Sequence, residues 1–255
     1  MSANETPINW HLRFAQQARW TEDVRRFLFT RAAIDSARRV LDVGCGTGVL
    51  LDELEGNFDT ALYGIDIASN YIKMAMRNTQ RSFFTQSDAH ALPYPSQSFD
   101  LAYCHFLLLW VSEPWKVVQE MARVVRPGGA VLALAEPDYG GRIDYPSELE
   151  ELGQAQHASL AIQGADPLMG RKLSEIFHQA GLTSIETGVL GGNWTSSPSL
   201  EEWQDEWRVV EHDLQQTSEL IPNPEVLKKF DWAAWQTGKR VLYVPTFYAF
   251  GLVPL

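Results

Sequence analysis

Three glycines on alternate positions, Gly44, Gly46 and Gly48, are the residues whose type and spacing point most directly to chemistry. The apolar run 40–43 before them is typical of a buried strand, and residues 49–54 have the spacing of a helix. Glycine permits a positive φ in a tight turn and leaves no Cβ where a flat ligand must lie against the backbone. The following helix offers unpaired N–H groups toward that ligand. The segment therefore predicts the first strand–turn–helix unit of a nucleotide-binding α/β sheet.

An acidic residue beyond the glycines narrows the class of ligand. A dinucleotide turn has the pattern G-x-G-x-x-G/A, but position 49 is a valine and the third glycine comes one place early, at Gly48. Asp66 follows Gly48 by eighteen positions, at the end of the strand-like run 61–65. A carboxylate there can accept hydrogen bonds from both hydroxyls of an adenosine ribose. The two features together predict a ligand that contains adenosine.

The segments VLDVGCGTG (40–48) and YGIDIA (63–68) resemble motifs I and II of the class I S-adenosylmethionine-dependent methyltransferases. Asp88-Ala89 and the RPGG turn at 126–129 are also similar to that family, so the resemblance spans about residues 38–137. It implies S-adenosylmethionine as the cofactor. Within the family, the sequence resembles the small-molecule methyltransferases of the ubiquinone- and menaquinone-biosynthesis-like group.

The resemblance also implies a set of cofactor-binding residues. In the family, an acid at the position of Asp88 bonds the adenine amino group, and the next N–H, here of Ala89, meets a ring nitrogen; the alternative is that Asp88 only caps a turn. Arg19, on a helix before motif I, would meet the carboxylate of the cofactor, or else is simply solvated. The full set is Arg19, Gly44, Cys45, Gly46, Asp66, Ile67, Asp88, Ala89 and Cys104.

The candidates for the catalytic step follow the fourth and fifth predicted strands, because ligands of open α/β sheets bind beyond the carboxyl ends of the strands. Methyl transfer from a sulfonium needs a general base only when the nucleophile arrives protonated. His105 ends the fourth strand, while Glu136, Asp138 and Tyr139 follow the fifth. With an ordinary pKa of about 6.5, His105 is the predicted base. The alternative is that His105 packs or contacts the cofactor.

Composition limits the partners of the chain. With 255 residues, 45% of them hydrophobic, and a net charge of −11, the chain resembles an ordinary globular protein and lacks the basic face that nucleic acid requires. The two cysteines lie inside the motifs and predict neither a disulfide framework nor a metal site. The N-terminal sequence has no signal pattern and no apolar run is long enough for a membrane span. We therefore expect a cytoplasmic monomer or homodimer without membrane insertion.

We expect the elements that must position these residues to form a single domain over 1–255, which the resemblance identifies as a methyltransferase domain. We predict an α/β fold with a Rossmann-like, mostly parallel seven-stranded sheet, helices on both faces and a helical cap. The predicted last strand, 243–253, suits an antiparallel partner. The predicted parts are an N-terminal helix within 10–36, a cofactor-binding core at 38–137, and substrate-cap insertions at 138–180 and 192–240.

The second insertion is too long for an idle loop and is rich in tryptophan. Trp203 and Trp207 have helical spacing, which indicates core packing more often than an aromatic wall for a substrate. The hypothesis is that residues 192–240 set acceptor choice and leave cofactor affinity nearly unchanged. Trp194→Ala would then raise the KM for the acceptor, while the cofactor Kd stays within about threefold.

Two other functional classes remain open. The chain could bind the cofactor without catalysis, as a regulatory subunit would, or it could be another adenosine-thioether enzyme such as an aminopropyl transferase. An arsenite methyltransferase is disfavoured because there is no cysteine outside the motifs. Isothermal titration with S-adenosylmethionine, its decarboxylated form and NAD separates these classes.

Overall fold

The computed structural model describes residues 8–189, 191, 197–215 and 223–255. Over these residues the helices are α1 (Trp10–Trp20), α2 (Glu22–Arg31), α3 (Val49–Asn57), α4 (Ser69–Asn78), α5 (Pro114–Val124), α6 (Glu150–Ile162), α7 (Leu173–Gln179), α8 (Leu200–Leu214) and α9 (Pro224–Gln236). The strands are β1 (Arg39–Val43), β2 (Ala61–Asp66), β3 (Phe83–Gln86), β4 (Phe99–Cys104), β5 (Val125–Pro137), β6 (Ile143–Tyr145), β7 (Thr183–Val189), β8 (Val241–Tyr243) and β9 (Thr246–Leu252). No helix within these residues has the length and apolar character of a membrane span.

The backbone contacts divide the chain into two compact units. Of the described residues, 10–136, 169–189 and 246–255 form the sheet unit, and 8–9, 137–168, 191, 197–215 and 223–245 form the tryptophan unit. Residues 169–180, part of the first predicted insertion, lie in the sheet unit. The role of the insertions as a substrate cap stays a prediction.

The sheet unit contains a seven-stranded sheet over the described residues, in the order β3-β2-β1-β4-β5-β9-β7. β1 is parallel to β2 and β4, β2 is parallel to β3, and β4 is parallel to β5, while β7 and β9 are antiparallel. The central strands are almost completely buried, as expected of strands covered on both faces. The predicted mostly parallel seven-stranded sheet is therefore confirmed.

The parallel pairing brings the carboxyl ends of the central strands to one edge of the sheet. Val43 at the end of β1 pairs in register with Ile65 of β2 and with Cys104 of β4. The glycine turn, Asp66 and His105 all follow directly from these paired residues. The fold thus gathers the candidate residues of the sequence at one place.

Three local predictions differ from the structure. The N-terminal helix expected within 10–36 is interrupted at Thr21, whose hydroxyl donates toward the carbonyls of Gln17 and Ala18 and competes with the helical pattern. The RPGG segment 126–129 belongs to β5 instead of forming a separate turn, with Gly128 at φ 74°. The expected last strand is divided because Pro245, between β8 and β9, has no N–H to donate.

The tryptophan unit contains α6, α8, α9 and the antiparallel pair β6–β8. Trp203 and Trp207 are buried in it, and both indole N–H groups donate to Oδ2 of Asp231, at 2.7 and 2.8 Å. The structure therefore places these two tryptophans in a core. Trp194 lies outside the described residues.

Candidate active site

The glycine turn follows β1 and leads into α3. Gly44, Gly46 and Gly48 have φ values of 76°, 51° and 80°, in the region that favours glycine. The N–H groups of Gly44 and Cys45 donate to the carbonyl of Ile65, at 2.8 and 2.9 Å, and tie the turn to β2. Cβ atoms on the three glycines would lie within 3.0 Å of the side chains of Leu107, Phe14 and Ala75, so this turn requires glycine both for its conformation and for its packing.

Asp66 faces this turn from the end of β2. Its Oδ2 accepts a hydrogen bond from the N–H of Gly46 at 2.9 Å, and its Oδ1 accepts one from the N–H of Ala68 at 2.8 Å. A carboxylate has about four acceptor positions, so two remain for a diol. The neighbouring Ile67 side chain is 68% exposed and offers an apolar surface beside the carboxylate.

Asp88 and Ala89 follow β3. Oδ1 of Asp88 accepts hydrogen bonds from the backbone N–H and Nδ1 of His90, at 2.9 and 2.7 Å, and these bonds lower the pKa of the Asp88 carboxyl. Asp88 thus closes its own turn, as the alternative interpretation held. Its side chain is nevertheless 55% exposed and ionised, so it can also accept a hydrogen bond from a ligand.

Helix α1 contacts the glycine turn through side chains that the sequence analysis did not select. A Cβ built on Gly46 would lie 3.0 Å from Cε2 of Phe14. Nδ1 of His11, also on α1, lies 2.9 Å from Oγ1 of Thr47. From α4, Nδ2 of Asn78 donates to the Thr47 carbonyl at 2.9 Å. These contacts are tertiary, so the helical periodicity of α1 and α4 gives no signal for them.

The remaining predicted cofactor residues have less direct evidence. Arg19 is exposed on α1. Cys45 and Cys104 are free and buried, and burial raises the pKa of both thiols, which keeps them protonated. We therefore expect the two cysteines to contribute to cofactor binding through their backbone groups and their packing, and not through a charged thiolate.

Comparison with known proteins agrees with this geometry. The methyltransferase domain family matches residues 41–133. A demethylmenaquinone methyltransferase of Geobacillus kaustophilus is 28% identical over 212 residues, which cover 73% of this chain and 86% of the relative. The 27-O-demethylrifamycin SV methyltransferase of Amycolatopsis mediterranei is 35% identical over 104 residues, or 38% of each chain.

The chain is an S-adenosylmethionine-dependent methyltransferase. Among solved structures, phosphoethanolamine N-methyltransferase 2 of Haemonchus contortus in complex with S-adenosyl-L-methionine shares the fold, with a TM-score of 0.58 and 17% identity over 89% of this chain and 51% of that one. S-Adenosylmethionine is the cofactor, and the glycine turn and the spare acceptor positions of Asp66 fit its adenosine.

The methyltransferase also carries a buried carboxyl group in β1 that the sequence analysis missed. Asp42 is 2% exposed, and its pKa is raised to about 8 by burial, with the charge of Asp66 adding to the effect and the Tyr103 hydroxyl opposing it. A charged residue inside an apolar strand was the available signal. Asp42 lies two residues before Gly44, and with a pKa of about 8 its carboxyl group is mostly protonated at neutral pH in the ligand-free enzyme.

We expect the stability of the ligand-free enzyme to depend on Asp42 and pH. The pKa of Asp42 is about 8 in the folded state and has its ordinary value of 3.8 in the unfolded state. Between these two pH values the folded state binds more protons than the unfolded state, so the free energy of unfolding decreases as the pH rises toward about 8. Asn at this position does not titrate. As the pH rises toward about 8, the free energy of unfolding of Asp42→Asn should therefore increase relative to that of the native protein, by up to about 1.4 kcal/mol per pH unit. Urea unfolding at about pH 6, 7 and 8 measures this difference. A difference that is independent of pH would contradict the assignment.

His105, the predicted base, follows β4 and is partly buried. Its Nε2 lies 2.9 Å from Oγ1 of Thr21, which also accepts a hydrogen bond from Nη1 of Arg25 at 2.7 Å. Burial, and then the positive charge of Arg25, lower the pKa of His105 to about 3. The premise of an ordinary pKa near 6.5 is therefore wrong, and the imidazole is neutral and weakly basic. The catalytic role of His105 stays a prediction, and its low pKa makes His105 a weaker base than the prediction assumed.

Glu136, another candidate base, is occupied by backbone groups. Its carboxylate accepts hydrogen bonds from the N–H groups of Leu107, Leu108 and Leu109, at 2.9, 2.8 and 3.2 Å. It is completely buried, and burial raises its pKa to about 7 against the effect of these bonds. The carboxylate therefore holds the chain after β4 and is not free to accept a proton from an acceptor.

We expect Asp66→Ala to weaken S-adenosylmethionine binding at least tenfold, because charge-assisted hydrogen bonds to a ribose contribute about 1.5–3 kcal/mol each. Isothermal titration measures the Kd. Asp59→Ala is the control, since Asp59 is fully exposed and forms only a surface ion pair with Arg81. Unchanged affinity in Asp66→Ala would remove this carboxylate from the cofactor site.

Proposed function

We propose that this methyltransferase methylates a small aromatic acceptor of the hydroquinone or phenol type. The observation that carries the proposal is the similarity to a demethylmenaquinone methyltransferase over 86% of that relative's length. The rifamycin relative, by its name, acts at an oxygen of another small molecule, which supports the broader class of small-molecule acceptors.

The chemistry near the glycine turn supports an acceptor that ionises readily. His105 is neutral and bonded to Thr21, and the carboxylate of Glu136 is occupied by backbone N–H groups. A phenol loses its proton with an ordinary pKa of about 10, well below that of an aliphatic alcohol, and so requires less from a base. The cofactor supplies the methyl group and a neutral thioether leaving group when bound.

The proposed cofactor site assigns a role to each predicted residue. Gly44, Cys45 and Gly46 bring backbone against the cofactor, and Asp66 binds the ribose. Beside them, the predicted adenine contacts are Ile67, Asp88 and Ala89. Cys104 ends β4 at the same edge, and Arg19 would meet the cofactor carboxylate.

Several properties accompany this proposal. The net charge of −11 supports a function without nucleic acid. The two free buried thiols fit a reducing, cytoplasmic location, and a monomer or homodimer stays the expected state. The role of residues 192–240 in acceptor choice is also part of the proposal.

The experiment is methyl transfer from labelled S-adenosylmethionine to a reduced short-chain demethylmenaquinone, with product mass measured by mass spectrometry. We expect a singly methylated product from the reduced naphthoquinone and none from its oxidised form, which lacks the ionisable hydroxyls. Phosphoethanolamine is the control acceptor. Methylation of phosphoethanolamine alone would overturn the hydroquinone class.

The same assay separates the alternative functions. A regulatory protein would bind S-adenosylmethionine in isothermal titration without turnover of any acceptor. An aminopropyl transferase would bind decarboxylated S-adenosylmethionine more tightly than the intact cofactor. Either result would replace methyl transfer as the function.

A further inference from the structure

The carboxylate of Glu136 is buried at a position where a charged group is energetically unfavourable. It is 0% exposed, and no Lys, Arg or His of the described residues forms an ion pair with it. Burying a carboxylate without a counter-charge is unfavourable unless hydrogen bonds replace its solvation. Here three successive backbone N–H groups do so. All three of these bonds join Glu136 to residues 107–109, so the buried carboxylate holds this one segment.

The geometry of these bonds requires a carboxylate and not an amide. Oε1 accepts from both Leu107 and Leu108, while Oε2 accepts from Leu109. A glutamine side chain has one acceptor oxygen and one NH₂ group. One of the three backbone donors would then face another donor. Glutamine at position 136 would consequently release part of the segment.

The bonded segment turns sharply at the end of β4. Phe106 has φ 52°, in the left-handed region that is costly for a bulky residue. Its N–H donates to the carbonyl of Ala135 at 2.9 Å, and its ring lies 4.7 Å from that of His105. The bonds from Ala135 and Glu136 on β5 hold this conformation.

The segment also reaches the cofactor turn. A Cβ built on Gly44 would lie 2.8 Å from Cδ1 of Leu107, so the Leu107 side chain packs against the first glycine of the turn. His105, at the other end, is bonded to Thr21. The Glu136 carboxylate therefore holds a segment that contacts the glycine turn on one side and carries the candidate His105 on the other.

We propose that Glu136 is a positioning residue for methyl transfer, which holds residues 105–109 at the carboxyl end of β4 so that they lie beside the transferred methyl group. This inference rests on the proposed function for the identity of the acceptor only. Its first two tests need no acceptor.

The first test follows the amide resonances of Leu107, Leu108 and Leu109 by ¹⁵N NMR as the pH changes. Because these N–H groups bond a carboxyl group whose pKa is raised to about 7, we expect them to shift together near neutral pH. The titratable groups nearby are Cys104 on β4, whose thiol pKa is raised well above its ordinary range, and Asp42 on β1, whose pKa is raised to about 8 and whose contribution Asp42→Asn removes. Glu136→Gln should abolish this titration. Retention of the titration in the variant would overturn the proposal.

The second test compares complexes with S-adenosylmethionine and S-adenosylhomocysteine, which differ by the methyl group on sulfur. We expect the amides of residues 105–109 to differ between the two complexes in the native enzyme. If they are identical in both, the segment does not lie beside the methyl group and the proposal fails, whatever the acceptor.

The third test is turnover with the acceptor found in the labelled-cofactor assay. Glu136→Gln should lower kcat at least about tenfold while the cofactor Kd changes by less than about threefold, and Glu136→Asp should recover part of the loss because it keeps the charge. The control is Asp100→Asn, since Asp100 accepts the N–H groups of Arg38 and Arg39 at the opposite end of β4. Native kcat in Glu136→Gln overturns the positioning role, whereas absence of any acceptor overturns only the proposed function.

Discussion

Gly46→Val is expected to weaken S-adenosylmethionine binding by at least about 100-fold, a loss of about 2.7 kcal/mol of binding free energy. Gly46 has φ 51°, which a β-branched residue adopts only with strain. The new Cβ would also lie 3.0 Å from the ring of Phe14, so the turn or the ring must shift. Its N–H, which donates to Asp66, would shift with the backbone. Isothermal titration measures the loss, and thermal unfolding measures the accompanying decrease in stability.

Gly181→Val is the matched control for this variant. Gly181 lies in the sheet unit with φ 80°, and a Cβ added to it would meet no atom within 4 Å. The substitution therefore imposes similar backbone strain without blocking a ligand. We expect a comparable decrease in melting temperature and native cofactor affinity. If Gly46→Val binds the cofactor as well as Gly181→Val does, the glycine turn does not hold the cofactor.

The sheet and its glycine turn were predictable because their signals are local. Apolar runs such as 130–135 and the glycines at 44, 46 and 48 each indicate one element and its boundary. The paired register of Val43 and Cys104 then follows from parallel strands of similar length. The position of Asp66 at the turn was also predictable from its spacing, because it ends the adjacent strand.

The electrostatic state of the site was not predictable in the same way. The pKa of His105 depends first on burial, which no local pattern reports, and then on Arg25, which approaches from α2 across eighty residues of sequence. Glu136 was a candidate base because it follows an apolar run, at the end of a predicted strand. Only the folded chain brings the N–H groups of 107–109 to its carboxylate. Spacing thus located the residues, while tertiary contacts decided their protonation.

The tryptophan unit contains a buried network of charges whose centre is Asp231. Oδ1 of Asp231 accepts from Nε of Arg240 at 2.6 Å, while Oδ2 accepts the indole N–H groups of Trp203 and Trp207. Nη2 of Arg240 also donates to Asp144 at 2.7 Å. Arg240 and Asp231 are only 1% and 6% exposed in their side chains, so each charge depends on its partners for solvation.

Asp231→Ala is therefore expected to destabilise the tryptophan unit by about 3–5 kcal/mol, because the arginine and two indole donors lose their shared acceptor inside the core. Unfolding in urea, followed by tryptophan fluorescence, measures the change, since Trp203 and Trp207 are themselves the donors. Asp205→Ala is the control: Asp205 lies in α8 of the same unit and pairs with Arg208 at the surface, where an ion pair contributes only about 0–1 kcal/mol. Equal unfolding midpoints for the two variants would mean that the network around Asp231 contributes no more than a surface pair, and that apolar packing alone holds the tryptophans.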